Sequence, residues 1–434
     1  MFHLLPRYYR AVAGSTWWSS RSGALVEGLP RYRSLPDATL APEHVGAQGW
    51  RRQDLLLPAM TLRASAVAHN AALHAAWCAH AGVSQAPHAK THLSPEIVRL
   101  QLDSGVWGMT AASVHQARLL AAFGARRILL AHEVVDMANV RALTALTEAD
   151  PELVVLPLVD SPAGVAALDR ELRAAGATRR LPVLAELGLD GGRTGARSPD
   201  DFVSVARAVR DSGTLVLAGV EGFEGILPVG RDAESLARVD AYLDRLVGAT
   251  ADLDRLGFFD GVEEIVLTAG GSAYPDRVAG IRRPVLSRPL RIVVRSGGTI
   301  THDHADYATA VPLAPEAGNP LGALRPALEL WCAVVSTPEP GLALVNAGKR
   351  DAPYDSGMPV VLEVLRDGAP APSDGVVFER MNDQHGFVAH RGQLEVGDVL
   401  RLGPCHPCTA FDKWPLIPLL DDDDAVVGAV TTWF

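Results

Sequence analysis

The chain has 434 residues, 48% hydrophobic and 21% charged, a balance that indicates a globular protein with one large domain and a smaller one. A net charge of -10 and a pI near 5.8 argue against a general nucleic-acid binder. The longest apolar run, about Leu153 to Val159, is too short for a membrane span, and residues 1–14 lack a signal-peptide core. We therefore expect a cytoplasmic protein, in which four cysteines are too few for a disulfide scaffold.

The first 320 residues contain a repeated pattern of apolar strands and helices. Residues 1–50 have no clear periodicity and are predicted to form an N-terminal extension, and a helix is predicted from about Ala64 to Ala81. Eight short apolar runs then alternate with stretches rich in Ala, Leu and Arg: Val83–Ala89, Val106–Thr110, Arg127–Ala131, Leu153–Val159, Leu181–Leu187, Leu215–Phe223, Ile265–Thr268 and Leu290–Val294. This spacing predicts a (β/α)8 barrel over residues 51–320. A doubly wound sheet is the alternative, but no Gly-x-Gly-x-x-Gly fingerprint follows a first strand.

The pattern of the sequence changes after about residue 320. Short apolar runs separated by Pro, Gly and Asp turns predict a C-terminal β domain over residues 321–434.

Lys90 is the first candidate for covalent chemistry. It is one of three lysines, beside 37 arginines, and it ends the first predicted barrel strand, where barrel active sites gather. Unlike arginine, a lysine can be neutralised by burial and can form a Schiff base, for example with pyridoxal phosphate. A surface lysine on a loop is the alternative interpretation.

Two glycine-rich turns at strand ends could contact a cofactor. Gly270, Gly271 and Ser272 follow the seventh strand, where backbone amides and a hydroxyl could hold a phosphate. Arg193 lies among glycines after the fifth strand and could contact a cofactor ring or phosphate. An ordinary Gly-Gly turn and a solvated arginine are the alternatives.

Two histidine-containing segments have the composition of metal sites. His406 and Cys408 are two residues apart and would point to one side of an extended strand, which suits zinc with open coordination positions. A buried structural cysteine beside a capping histidine is the alternative. The segment Thr301–His304 could equally be a hydrogen-bonded turn.

Taken in order, these segments resemble the D-serine dehydratase and D-threonine aldolase family, pyridoxal-phosphate enzymes with an alanine-racemase type of barrel and a β domain. The resemblance runs from about Pro58 to the C-terminus. It rests on Pro87–Glu96, Ile128–Val135, Arg193–Gly195, Gly270–Ser272, Arg295–Gly297 and the terminal pair His406 and Cys408.

The resemblance implies a role for each of these candidates. Lys90 would bind pyridoxal phosphate covalently, Gly270, Gly271 and Ser272 would hold its phosphate, Arg193 would lie beside it, and His406 and Cys408 would bind zinc. The segments that look closest to the bacterial amino-acid deaminase branch are Thr301–His304, Gly348–Asp351 and Ala410–Trp414. Phe223 is a departure, because relatives often place a tyrosine or histidine near the cofactor there.

The family implies a lyase that forms homodimers and acts on D-β-hydroxy amino acids. A His-x-Cys pair resembles the D-serine dehydratases, whereas D-threonine aldolases tend to have His-x-Asp. We therefore expect elimination of water to give a 2-oxo acid and ammonia, with aldol cleavage as the second reading and racemisation as the third. A non-catalytic cofactor carrier is a further alternative, although such carriers resemble the barrel alone. We expect neither nucleic acid nor a membrane as a partner.

Overall fold

A computed structural model describes residues 32–37, 39–228, 230–305, 307, 308 and 310–434, so most of the predicted N-terminal extension lies outside the described residues. Eight parallel strands form a barrel, and their order around it is β2-β9-β8-β7-β6-β5-β4-β3. They are β2 (Ser84–Gln85), β3 (Met109–Ala111), β4 (Arg127–Glu133), β5 (Val154–Val159), β6 (Leu181–Leu187), β7 (Leu215–Gly222), β8 (Ile265–Ala269) and β9 (Leu290–Val294). The predicted barrel is therefore confirmed, because every predicted run contributes one strand.

Hydrogen bonds between the first two strands bring the barrel close to complete closure. The amide of Trp107 donates to the Gln85 carbonyl at 3.0 Å, and that of Thr110 donates to the Pro87 carbonyl at 2.9 Å. Inside the barrel, apolar side chains from β4 to β9 form a buried cluster that fills the lumen, including Leu129, Leu156, Leu184, Val266 and Val293. The barrel is thus a packed core, and a ligand has room only at its ends.

Helices cover the outside of the barrel and begin where the sequence supplies caps. They are α1 (Ala64–Ala81), α2 (Pro95–Asp103), α3 (Val114–Ala122), α4 (Met137–Ala149), α5 (Pro162–Ala174), α6 (Pro199–Asp211), α7 (Ala233–Arg255) and α8 (Pro275–Ala279). A serine or aspartate side chain accepts a backbone amide at the start of each helix from α2 to α7. Within the described ranges, no helix combines the length and apolar character that a membrane span requires.

Short 3-10 turns connect many of these elements. They are Pro42–Ala47, Arg52–Asp54, Ala89–Thr91, Glu224–Ile226, Gly298–Ile300, Pro315–Ala317 and Phe411–Lys413.

A second sheet forms the C-terminal β domain. Its main path runs β13-β12-β16-β10-β1-β17-β18, and β11, β14 and β15 extend it beside β10. The strands are β1 (Ala59–Arg63), β10 (Leu328–Glu339), β11 (Leu342–Val345), β12 (Val360–Arg366), β13 (Ala369–Ala371), β14 (Val377–Met381), β15 (Gly386–Ala389), β16 (Val399–Gly403), β17 (Leu416–Leu420) and β18 (Val426–Thr431).

The strand β1 precedes the barrel in sequence but pairs in this second sheet. It runs antiparallel to β10, with Ala59 opposite Trp331, and parallel to β17, with Leu62 opposite Leu419. Just before it, Tyr32, Leu35, Val45 and Leu55 pack against buried side chains of β17 and β18. The chain therefore enters the β domain, builds the barrel and returns to the β domain.

Because Leu62 lies between two strands of the β domain and is fully buried, Leu62→Ala should lower the free energy of unfolding by about 2–5 kcal/mol. Denaturant titration followed by tryptophan fluorescence would measure this loss. Trp414 lies in the same buried cluster as Leu62, and Trp331 lies on β10, which pairs with β1.

Leu56→Ala is the matched control, because Leu56 is 53% exposed and its truncation should change stability by less than about 0.5 kcal/mol. Equal losses for the two variants would contradict the buried position of β1.

Candidate active site

A cavity of about 320 Å³ opens at the carboxyl ends of the barrel strands, the end at which barrel enzymes carry their catalytic groups. Its volume lies near the lower end of the range for small-molecule sites. The lining includes three of the predicted site residues, Lys90, Arg193 and Gly270. It also includes groups that were not predicted as site residues: His88, His132, Glu133, Glu186, Glu221 and Arg295.

Lys90 lies in the 3-10 turn Ala89–Thr91, directly after the bridge that joins His88 to β3. The turn begins at His88, whose ring nitrogen Nδ1 accepts the Lys90 amide at 3.4 Å. A continued strand would have placed His88, Lys90 and His92 on one side, but the turn ends that alternation, and His92 is fully buried.

The surroundings of Lys90 favour its neutral form. Desolvation by the surrounding protein lowers the pKa of Lys90, and the nearby Cys408 thiol opposes this effect. The positive charges of Arg193 and Arg295 lower the pKa further. The other two lysines, Lys349 and Lys413, line a separate surface cavity of about 810 Å³ in the β domain.

Arg193 is positioned by the turn that follows β6. Gly188 and Ala196 hydrogen-bond across the base of this turn, and Gly195 has a φ of +99° that disfavours other residues. The Arg193 guanidinium carbon lies 4.6 Å from the centre of the Phe223 ring. Phe223 therefore offers an aromatic face to a cation, at the position where relatives often have a tyrosine or histidine.

The predicted phosphate loop has one of its donors already in use. Gly270 lines the cavity, but the Gly271 amide donates to the Glu224 carboxylate at 2.8 Å. The Ser272 hydroxyl accepts the Gly298 amide at 3.1 Å. Glu224 is fully buried, and burial raises its pKa. An acidic side chain of the protein thus occupies the amide that sequence reasoning assigned to a phosphate.

Glu221 and Arg295 form a buried ion pair in the wall of the cavity. The Arg295 side chain also donates to the Gly222 carbonyl at 3.1 Å. Burial raises the pKa of Glu221 to about 7, although the charge of Arg295 opposes the shift. Glu221 was not predicted as a site residue; its position near the carboxyl end of β7 is the signal that could have indicated it.

His406 and Cys408 lie on the loop after β16, not on the extended strand that was expected, and their side chains interact with each other. Burial lowers the pKa of His406, but Cys408 and Asp355 outweigh it and raise the value to about 9. Burial raises the pKa of Cys408, yet the hydrogen bond and charge of His406 bring it below its ordinary value. The Cys408 sulfur lies 3.6 Å from the Thr91 hydroxyl, next to Lys90.

Asp355 is a further polar residue at this pair that sequence reasoning missed. Its carboxylate is 2.9 Å from Nδ1 of His406 and accepts the Thr409 hydroxyl at 3.0 Å. The contact orients the imidazole, as carboxylates commonly do for metal-binding histidines. Asp355 is 51 positions from His406 in the chain, so no local motif pointed to it.

Three carboxylates lie close together at the ends of the neighbouring strands β4, β5 and β6. Glu133, Asp160 and Glu186 each place a carboxylate oxygen within 4.8 Å of the other two. Burial raises the pKa of Glu186 to about 8, with the neighbouring Glu133 adding to the shift. These residues come from the ends of β4, β5 and β6, and none was predicted as a site residue.

The segment Thr301–His304 forms a hydrogen-bonded turn. Asp303 accepts the amides of Ala305 and Tyr307 at 3.0 and 2.9 Å. Burial lowers the pKa of His304 to about 4, so this ring is neutral near pH 7.

Comparison with known proteins supports the relationship that these features indicate. The family model described as "Putative serine dehydratase domain" matches residues 327–420. The 3-hydroxy-D-aspartate aldolase of Paracoccus denitrificans (strain Pd 1222) is 25% identical over 372 residues, which cover 84% of this chain and 89% of that protein.

Solved structures share the two-part architecture. D-threonine aldolase from Filomicrobium marinum superposes with a TM-score of 0.73 and 25% identity, covering 90% of this chain and 98% of that one. D-threo-3-hydroxyaspartate dehydratase from Delftia sp. HT23 has a TM-score of 0.67 at 23% identity, over 87% and 98% of the two chains. The chain therefore has the alanine-racemase-like fold, and over most of its length it is similar to lyases named for D-threonine and 3-hydroxy-D-aspartate.

Proposed function

We propose that the protein removes water from a D-β-hydroxy amino acid of the D-serine type, with pyridoxal phosphate and zinc, and releases a 2-oxo acid and ammonia. The observation that carries the proposal is the contact of Cys408 with Thr91, next to Lys90. This contact joins an imidazole and thiol pair from the β domain to an amine at the barrel mouth. The two groups can then act on neighbouring carbon atoms of one small substrate.

Lys90, Gly270 and Arg193 would hold pyridoxal phosphate in this cavity, although Glu224 already engages the Gly271 amide. Lys90 offers an amine whose pKa is lowered, and Gly270 lets the Arg295 backbone approach closely, since a Cβ there would lie 2.8 Å from the Arg295 backbone nitrogen. Arg193 adds a cation to the same wall. The cofactor supplies an electron sink for charge that develops at the substrate α-carbon.

The His406 and Cys408 pair suits zinc. Asp355 engages Nδ1 of His406, so a metal would bind Nε2 and displace its proton, and the lowered pKa of Cys408 favours the thiolate. One imidazole and one thiolate leave other coordination positions open to substrate. A Lewis acid at this place makes the β-hydroxyl a better leaving group, which elimination of water requires.

Lys90 is the base in the proposed reaction. Its lowered pKa favours a neutral amine, which would take the α-proton of a bound substrate. The β-hydroxyl then departs as water and a carbon–carbon double bond forms. Hydrolysis of the resulting enamine adds that water back and releases ammonia, so D-serine would give pyruvate.

Aldol cleavage is the second candidate because two similar proteins are named as aldolases. In that reaction the β-hydroxyl loses a proton and the Cα–Cβ bond breaks. Cys408 favours elimination, since a thiolate selects a softer metal than the carboxylate that the family's aldolases tend to have. One solved variant of D-threo-3-hydroxyaspartate dehydratase is described as being in the metal-free form.

Product analysis decides between the two reactions. Purified protein incubated with D-serine, D-threonine or D-3-hydroxyaspartate should release ammonia and a 2-oxo acid in equal amounts. Chelation should abolish the release, and zinc should restore it better than manganese or magnesium. Glycine and an aldehyde as main products, or full activity after chelation, would make the dehydratase reading wrong.

Exchange of the thiol provides a matched test of the same reaction. Cys408→Asp should weaken zinc dependence and reduce elimination by about 10-fold or more while cofactor absorbance persists, because Lys90 is unchanged. Cys405→Ser is the control, because the Cys405 thiol donates to the Met358 carbonyl at 2.7 Å. This variant should depend on zinc as the wild type does. If both variants behave alike, Cys408 is not a metal ligand.

Attachment of the cofactor to Lys90 can be measured directly. The protein should absorb visible light, and borohydride should fix the label on the peptide that contains Lys90. A variant with Lys349→Arg and Lys413→Arg should keep the absorbance, because both lysines lie at the separate surface cavity. Label on either of those lysines, or a colourless protein after reconstitution, would disprove the assignment.

We further propose that a second copy of the chain covers the barrel mouth. Val135 and Met137 follow β4, Ile226 follows β7, and all three are exposed at the rim of this end. Val135→Asp should shift the protein towards monomer in sedimentation experiments. Val285→Asp should not, since Val285 precedes β9 and lies towards the opposite end of the barrel. A fully active monomer at assay concentration would contradict the dimer.

A further inference from the structure

The carboxylate cluster of Glu133, Asp160 and Glu186 is unusual because it lacks a matching positive charge. Among the residues that the structure describes, no lysine or arginine forms a salt bridge with any of the three. His132 is 3.3 Å from Glu133, but His132 is mostly exposed. Three carboxylates at this spacing repel one another unless something positive lies between them.

Two oxygens of the cluster are also without hydrogen-bond donors. Glu186 Oε2 and Glu133 Oε1 are fully buried and have no partner, and Glu186 as a whole is only 5% exposed. The nearby donors are used on other oxygens: the Thr194 hydroxyl donates to Glu186 Oε1 at 3.1 Å, and the Gly195 amide donates to Asp160 Oδ2 at 3.2 Å. A buried carboxylate oxygen without a partner is costly, so these two oxygens would gain from a cation or from a proton shared between Glu133 and Glu186.

We infer that Glu133, Asp160 and Glu186 bind a hard divalent cation, for which calcium serves as the test ion. Carboxylate oxygens are the ligands that calcium and magnesium prefer. Opposite ligands of calcium lie about 4.6–5.2 Å apart, twice the metal–oxygen distance, and those of magnesium about 4.0–4.2 Å. The observed oxygens lie within 4.8 Å of one another, a spacing at which all three can bind a single ion.

The ion would fix the turn that carries Arg193. Asp160 and Glu186 already hold this turn through the Gly195 amide and the Thr194 hydroxyl. An ion between the carboxylates would remove their mutual repulsion and keep both contacts in place. Its role is therefore to position the cavity wall, and it does not depend on the reaction that the enzyme catalyses.

This site differs chemically from the His406 and Cys408 pair. Its ligands are all oxygens from the barrel, whereas that pair offers nitrogen and sulfur from the β domain, which suit zinc. A shared proton is the competing occupant of the carboxylate cluster, and the experiment distinguishes it from a metal ion.

Calorimetric titration tests the inference directly. Holoenzyme that contains pyridoxal phosphate and zinc is freed of calcium with a calcium-selective chelator and titrated with calcium chloride. We expect one ion per chain with a Kd below about 1 mM. Glu186→Gln and Asp160→Asn should each weaken binding at least about 10-fold, because each removes one ligand charge. Both substitutions also relieve repulsion, so the variants should fold.

Two controls localise the ion. Glu263→Gln changes an exposed carboxylate elsewhere and should leave the calcium affinity unchanged. His406→Ala should also leave it unchanged, because the two sites are separate. No binding up to about 10 mM calcium would overturn the inference and leave a shared proton as the occupant. Equal affinity in wild type, Glu186→Gln and Asp160→Asn would overturn it as well.

Discussion

Parallel pairing of eight strands is the constraint on which the site depends. All carboxyl ends of such strands meet at one end of the barrel, so residues far apart in sequence line one cavity. Lys90, Arg193 and Arg295 come together in this way, although about 200 positions separate the first from the last. The same geometry brings three carboxylates together, because β4, β5 and β6 are neighbours in the sheet.

Desolvation sets the charge state of this site. It is the largest cause of the pKa shifts of Lys90, Glu186 and Glu221, and in each case it favours the neutral form. The lumen below the cavity is packed with apolar side chains, which cannot stabilise charge. The same burial that favours a neutral Lys90 amine therefore also raises the pKa of its acidic neighbours.

Sequence reasoning succeeded where the signal was local. Apolar runs alternating with helix formers predicted the barrel, and Lys90, Arg193 and Gly270 were found because each follows a strand. It missed the Asp355 contact with His406 and the Glu224 contact with Gly271, because side-chain contacts between distant segments leave no periodic pattern. The pairing of β1 was not predicted for the same reason, because the residues of a single strand before the barrel do not indicate which distant strand it pairs with.

The position of β1 also determines the order in which the molecule can be completed. This strand is synthesised before the barrel, yet its neighbours β10 and β17 emerge only after the barrel is finished. Contacts of such long sequence separation form slowly, because a long loop must close first. On the ribosome, β1 therefore remains an unpaired apolar segment throughout barrel synthesis, exposed to aggregation and available to chaperones. A C-terminal fragment that begins after the barrel would lack β1, a central strand of this sheet.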